Sequence, residues 1–182
     1  MKKQETFVEG LTTILLKQRA INPDEAKALT KTFNDRSQIA FDDFLLEEGL
    51  VSRTAVLNAL SEYFQVPAFD VTGYFFEHYL LHEFPKDFLL RHLMIPVERD
   101  QNTLFVVANN PGDPTLLANI GKHVSYDIQF MVGLAQDIND AIREFYDKSI
   151  TQVSMDDDVD RTIEETHEVE EVLHPHTRQE EE

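Results

Sequence analysis

The chain has 182 residues, 42% of them hydrophobic, with 34 acidic against 16 basic side chains and a formal net charge of -18. That is enough apolar material for one core, or for two small subdomains sharing a face, while the acidic balance makes a phosphate backbone or an anionic bilayer a poor partner. No cysteine is present, which excludes a disulfide scaffold and any thiolate metal site, and no apolar run approaches the roughly 20 residues of a membrane helix.

The N-terminus, Met1-Lys2-Lys3-Gln4-Glu5, meets polar and acidic residues before any apolar run and does not read as a signal peptide. Phe7, Leu11, Ile14 and Leu15 then fall on one helix face. Asn22-Pro23-Asp24-Glu25 starts a second helix: Asn22 as N-cap, Pro23 at the first helical position, and Glu25 completing a capping box. Ala26, Leu29 and Phe33 carry that helix inward. The pattern recurs thirty positions later, with Leu15-Leu16 matching Leu45-Leu46, Ile21-Asn22 matching Val51-Ser52, and Phe33 matching Tyr63. In the second copy Gly49 is placed for a left-handed cap and Ser52 caps the next helix, whose apolar face is Val56, Leu57, Leu60 and Phe64. Two helical hairpins packed as a small bundle are predicted; two copies are too few for a solenoid.

After Pro67 the period changes. Ala68 to Val71 is a strand candidate, Phe76, Tyr79 and Leu80 suit a short helix, and Pro85 to Leu93 suit another. Met94 to Glu98 and Leu104 to Val107 are predicted strands joined by the polar turn Arg99-Asp100-Gln101-Asn102. Asp113-Pro114 opens a helix that Gly121 can close, Ile128 to Val132 is a strand, and Leu134, Ile138, Ala141, Ile142 and Phe145 mark a final amphipathic helix. The fold class is therefore α+β: a helical bundle over residues 5–66, a small α/β sheet layer over 67–148 with helices on one face, and an acidic tail over 149–182. From Thr151 onward twelve acids face only Arg161 and Arg178. Such a stretch buries too little to offset its ordering entropy, so disorder is expected there.

Catalytic signatures are missing from this sequence. No Gly-x-x-x-x-Gly-Lys-Ser/Thr loop exists to cradle phosphates, and Gly112 and Gly121 lack the partners to build one. Gly-x-Ser-x-Gly and His-Glu-x-x-His are also absent. His78 and His82 share a helix face without a third ligand nearby, so they read as two half-buried histidines and not a metal site. Asp156-Asp157-Asp158-Val159-Asp160 imitates the start of a calcium loop, but Arg161 stands where Gly is required and His167 where Glu is required. Asp42-Asp43 and Glu47-Glu48, a possible pair of catalytic carboxylates, read as a solvated helix face. No cofactor, no metal and no catalytic residue is expected.

The order of segments resembles the N-terminal domain of bacterial type II secretion and type IV pilus assembly ATPases over about residues 8 to 147. Phe44-Leu45-Leu46-Glu47-Glu48-Gly49-Leu50-Val51-Ser52, with Val56 and Leu60, is similar to that family's helical half. Phe64 to Val71 resembles its exit into the first strand. Ile95 to Glu98 and Leu104 to Pro111 resemble its paired strands ending in an Ala-x-x-Asp/Asn-Pro turn, and Asp137 to Tyr146 its last helix. The resemblance implies a non-catalytic protein–protein interaction module without its own motor. It would be cytoplasmic and peripheral at the inner membrane through partners. The implied partner is an inner-membrane platform protein or a separate assembly ATPase, with no nucleic acid and no direct membrane insertion. The aromatics between Tyr63 and Phe69 are expected to anchor that contact. Nucleic-acid mimicry by the acidic tail is disfavoured, because the acids cluster there and are not spread over the fold.

The alternative implied by the resemblance is a divergent cyclic di-GMP-sensing module, since some members bind that ligand through repeated motifs that begin Arg-Leu-Gly and end in Gln. Here the Arg positions read Gly10 and Ala40, the opening Gly positions Thr12 and Asp42, and the closing Gln positions Phe33 and Tyr63. The inner Gly is kept as Gly49, whereas its first-copy equivalent is Arg19. Gly49, Leu45, Leu46 and Leu60 are the remaining candidate ligand positions. An aspartate where a phosphate approaches is repulsive, so weak or no binding is expected.

Overall fold

A computed structural model describes residues 6–36 and 38–148. The acidic stretch expected to be disordered, the calcium-like run at Asp156 and the other readings beyond residue 148 lie outside the described residues. The chain divides into two compact units after Arg143.

Four helices come first: α1 (Phe7–Lys17), α2 (Pro23–Arg36), α3 (Phe41–Glu48) and α4 (Arg53–Phe64). Their boundaries follow from local chemistry. Thr6 and Glu9 form a capping box at α1. Asn22 Oδ1 accepts from the amides of Asp24 and Glu25 at 3.0 and 2.9 Å, and Glu25 returns a bond to the Asn22 amide at 2.8 Å, the predicted box. Ser52 caps α4 through the Ala55 amide. Gly49 ends α3 at φ 70°, where a residue with a Cβ is strained. The core between the helices is built from Leu11, Leu15, Phe41, Leu45, Val56 and Leu60, and reaches Val132 and Leu134.

Beyond α4 come α5 (His78–His82), α6 (Lys86–His92), β1 (Met94–Asp100), β2 (Thr103–Ala108), α7 (Leu116–Ile120) and β3 (Asp127–Val132), followed by a helix over 135–148, here α8. The sheet order is β1-β2-β3. β1 and β2 are antiparallel, with Met94 opposite Ala108 and Asp100 opposite Thr103. β2 and β3 are parallel, with Thr103 opposite Asp127 and Ala108 opposite Val132. The hairpin is tighter than the sequence predicts: both strands extend into the polar run, leaving Gln101-Asn102 at the turn with Gln101 at φ 51°. A register shift between Pro96 and Glu98 bulges β1. Residues before the bulge are buried and Glu98, Arg99 and Asp100 after it are exposed.

The strand expected over Ala68 to Val71 is reduced to a single bridge from Ala68 to Val132. Its physical cause is local. Asp70 Oδ1 accepts from the Thr72 amide at 2.9 Å, the Tyr74 amide returns to the Val71 carbonyl, and Gly73 sits at φ 70°. These bonds fold the segment into a turn before a ladder can propagate. Gly121 is the C-cap of α7 but in right-handed geometry, so its glycine freedom is unused there. In the second unit Lys148 pairs with Glu144 along the helix, and the Phe145 and Tyr146 rings meet edge-on at 5.2 Å.

Candidate functional site

The nucleotide candidates divide between the core and its margin. Leu45 and Leu60 are fully buried, Leu46 is half-buried, and Gly49 is exposed with open space where a Cβ would stand. Arg19 takes the same left-handed backbone as Gly49, at φ 57°. The hairpin turn has therefore kept its shape where the glycine is absent. Gly10, at the family's arginine position, is buried against Tyr63, at the closing position of the other copy: a Cβ on Gly10 would stand 2.6 Å from Tyr63 Cε2. The Tyr63 ring is held edge-on to Phe7 and to Phe64, each at 5.0 Å. Phe33, at the other closing position, packs on Phe41 at 5.0 Å and Phe44 at 5.4 Å. Aromatic rings thus fill both closing positions, where the resemblance implies Gln.

Of the acids of α3, Glu47 and Glu48 form the solvated face that the sequence suggests, and Asp42 and Asp43 do not. Asp42 is buried, and its Oδ2 accepts from Asn109 Nδ2 at 3.0 Å; the same amide reaches the Gly133 carbonyl at 3.3 Å. A partner sixty-seven residues away makes the burial tolerable, and no local pattern could reveal it. Asp43 beside it is half-buried, and burial, then Asp42 and Glu47, push its carboxyl up to about 6. Glu47 and Glu48 are exposed. His78 and His82, at the two ends of α5, are exposed with ring centroids 6.2 Å apart.

The aromatics from Tyr63 to Phe69, expected as interface anchors, are mostly occupied with each other. Tyr63 and Phe64 pack on Phe7, and Phe69 meets Tyr74 edge-on at 5.2 Å. Exposure is found a few residues on. Phe75 is 95% exposed, Tyr79 50% and Tyr74 37%. The turn that replaces the expected strand presents Tyr74 and Phe75, α5 presents Tyr79, and the turn is fixed from three sides. Tyr74 donates its hydroxyl to the Val97 carbonyl at 3.1 Å, its ring lies between Phe69 and Phe76, and the Asp70–Thr72 bond closes the turn behind it. Beside it the bulged β1 sends Arg99 between two rings, 5.8 Å from the Tyr79 centroid and 5.3 Å from that of Tyr126. Arg99 Nη1 donates to the Tyr126 hydroxyl at 2.9 Å, which donates to Glu83 Oε1 at 3.0 Å. Charge on Arg99 is thereby held in place, and its own affinity for its proton is raised, first by the Tyr126 bond. The result is a pre-ordered surface of Phe75, Tyr79 and Arg99 with Glu77 and Glu98 close by. Sequence held one signal for it: Tyr74-Phe75-Phe76 directly after Gly73, three successive aromatics that one turn cannot all bury.

Comparisons with known proteins agree with this geometry. Residues 64–152 match the MshEN domain. The type IV pilus assembly ATPase PilB of Myxococcus xanthus (strain DK1622) is 26% identical over 133 residues, 70% of this chain and 24% of PilB, so the chain spans about a quarter of that relative's length. MshE solved with cdg superposes with a TM-score of 0.61 at 18% identity, covering 75% of this chain and 98% of the other. The N-terminal domain of XpsE superposes at 0.55 and 19% identity, covering 79% and 97%. These two likenesses establish a shared fold, helical half included. Among the described residues no helix is long and apolar enough to cross a membrane. The chain is thus similar in sequence to a type IV pilus assembly ATPase and shares the fold of the N-terminal domain of XpsE, and its residues 64–152 match the MshEN domain.

Proposed function

We propose that the chain is a non-catalytic docking module of a type II secretion or type IV pilus machine, and that its partner is the inner-membrane platform protein or a separate assembly ATPase. The observation that carries this reading is the pre-ordered aromatic surface of Phe75, Tyr79 and Arg99. The Tyr79 ring is held beside Arg99 and loses little entropy on binding, Phe75 stands on a turn that Tyr74 fixes, and Tyr and Arg dominate binding energy at protein interfaces. Glu77 and Glu98 beside the rings, on a chain of net charge -18, favour a basic rim on the partner and faster association at low salt. The test is binding of the purified chain to the cytoplasmic part of the platform protein and to the ATPase. Phe75→Ala should weaken the complex by about tenfold or more. Its melting temperature should stay unchanged, because Phe75 is 95% exposed. Absence of binding to either protein, or binding indifferent to Phe75→Ala and Tyr79→Ala, would overturn the proposal.

One observation favours a second reading, cyclic di-GMP sensing: the fold match to MshE solved with cdg. Against it stand the Tyr63 ring packed on Gly10, the buried carboxylate of Asp42, and Leu45 and Leu60 inside the core. Calorimetric titration with cyclic di-GMP separates the two. Weak or absent heat supports the docking reading, and a submicromolar constant replaces it with the sensing one.

A further inference from the structure

An open groove of about 620 Å³ runs between α1 and α2, with Thr12, Leu16, Ala26 and Thr30 on its walls. The two threonine hydroxyls on its walls are already taken, which leaves Lys27, Lys31, Asn34 and Asp35 of α2 as its polar side chains. Thr12 Oγ1 donates to the Val8 carbonyl at 2.7 Å and Thr30 Oγ1 to the Ala26 carbonyl at 2.9 Å, so both hydroxyls are bonded to their own helices. A polar small molecule needs donors and acceptors that converge on it from several sides, whereas the charged groups of this groove, Lys27, Lys31 and Asp35, all stand along α2. An apolar row of side chains is the better fit, and an open channel between two helices has the form that takes one face of a third.

The thirty-residue repeat explains why the groove is open. Lys27, Thr30, Lys31 and Asn34 on α2 stand where α4 carries Leu57, Leu60, Ser61 and Phe64. On α4 that face is covered by α1: Phe7 packs on Tyr63 and Phe64, and Lys17 pairs with Glu62. On α2 the corresponding face stays uncovered, and its composition says what suits it. Lys27 and Lys31 are exposed, and neither has a carboxylate within ion-pair distance among the described residues. Asp35 follows one turn later. Along the rim of the groove α2 therefore reads plus, plus, minus at four-residue steps, about 6 Å apart.

We infer that this groove is a second docking site, for an acidic amphipathic helix of another protein. The helix would place an apolar row between α1 and α2, with two carboxylates one turn apart against Lys27 and Lys31 and a basic residue one turn further against Asp35. Lys and acid rows beside an apolar seam set partner and direction in paired helices, and Asp35 rejects a helix laid the wrong way round. The net charge of the chain does not forbid this. The screening length at physiological ionic strength is about 8 Å, so the two lysines at the groove decide the sign of the local field. With the acidic-flanked aromatic surface, the module then has two docking sites of opposite character and can bridge two partners.

The test uses the full chain and two dye-labelled helical peptides of about four turns, with the same Leu/Ala row. One carries Glu, Glu, Lys at four-residue steps and the other Lys, Lys, Glu. Fluorescence anisotropy should show the Glu, Glu, Lys peptide bound at least about tenfold more tightly than its charge-reversed partner. Lys27→Glu combined with Lys31→Glu should invert that order. Both lysines are exposed, so the variant should keep its fold and melting temperature. Phe75→Ala should leave peptide binding unchanged, which keeps the outcome separate from that for the aromatic surface. No binding of either peptide up to about 1 mM overturns the inference, as does equal binding of both or an order that the lysine reversal leaves intact. Sedimentation decides about a second copy of this chain: self-association abolished by the lysine reversal would assign the groove to that copy and overturn the partner helix.

Discussion

The two hairpins are copies of one backbone with opposite surfaces. Residues 7–36 and 41–64 both run helix, turn, helix, and both turns contain a left-handed residue, Arg19 in the first and Gly49 in the second. Side chains separate them. Thr12, Thr13 and Lys17 of the first stand at the positions of Asp42, Asp43 and Glu47 in the second. Lys27 and Thr30 stand at those of Leu57 and Leu60. The second copy therefore carries the acids on α3 and a fully buried Leu60 on α4, whereas the first carries lysines beside an open groove. A repeated backbone needs only a few hydrophobic contacts to persist, so most of its surface is available for divergence.

The largest expected effect tests that division at one repeat position. Leu60→Ala should cost about 2–5 kcal/mol, because a fully buried leucine leaves both a transfer loss and a cavity. Thr30→Ala, thirty residues earlier, should stay within about 0.5 kcal/mol, since it only trims a groove wall. Urea unfolding of the two variants measures both. A similar loss at Thr30 would mean that the first hairpin is held as tightly as the second, and the groove would lose its meaning as a free surface.

A smaller pair of effects tests the shared turn. Gly49→Ala should lower stability by about 1 kcal/mol, because alanine resists φ 70°. Arg19→Gly should raise it by up to about 1 kcal/mol, relieving a residue already held at φ 57°. Thermal melts of both should shift in opposite directions. Shifts of the same sign would show that the two turns are held by different contacts and are not equivalent.

The sequence made most of the helices legible, because their ends are written in local chemistry: Asn22 with Glu25, Gly49 and Ser52 each act within four residues. The paired strands were legible for a similar reason, since Ile95 and Leu104 to Val107 are apolar runs around a polar turn. What escaped depends on distant partners. Ala68 to Val71 has strand composition, yet the bonds of Asp70 and Tyr74 turn it aside. Asp42 looks solvated until Asn109 is placed beside it. The Tyr63 to Phe69 aromatics and Phe75 have similar composition, and only packing decides which rings are covered. The groove was missed because an absence of neighbours leaves no trace in a sequence, although Lys27 and Thr30 at the positions of Leu57 and Leu60 were a hint.

The smallest effect concerns the acids that only the second hairpin carries. The Asp43 carboxyl is pushed up from 3.8 to about 6, first by burial and then by Asp42 and Glu47. The folded chain therefore holds this proton more tightly than the unfolded one. Between about pH 4 and pH 6 the folded state binds the extra proton, so this group's contribution to stability falls as pH rises through that window. Above it the unfavourable charge is fully present, and below it the group costs nothing. Asp43 is half exposed, so solvent screening keeps the effect under about 1 kcal/mol. Asp43→Asn should accordingly stabilise the chain at pH 7.5 and leave it unchanged near pH 4, flattening the melting temperature between those limits. Thr13→Asp puts a carboxylate at the equivalent place in the first hairpin, where Thr13 is exposed, and should not reproduce that slope. A pH profile of Asp43→Asn identical to that of the parent chain would show that the acids of α3 are solvated after all, and that the two hairpins differ less than their sequences imply.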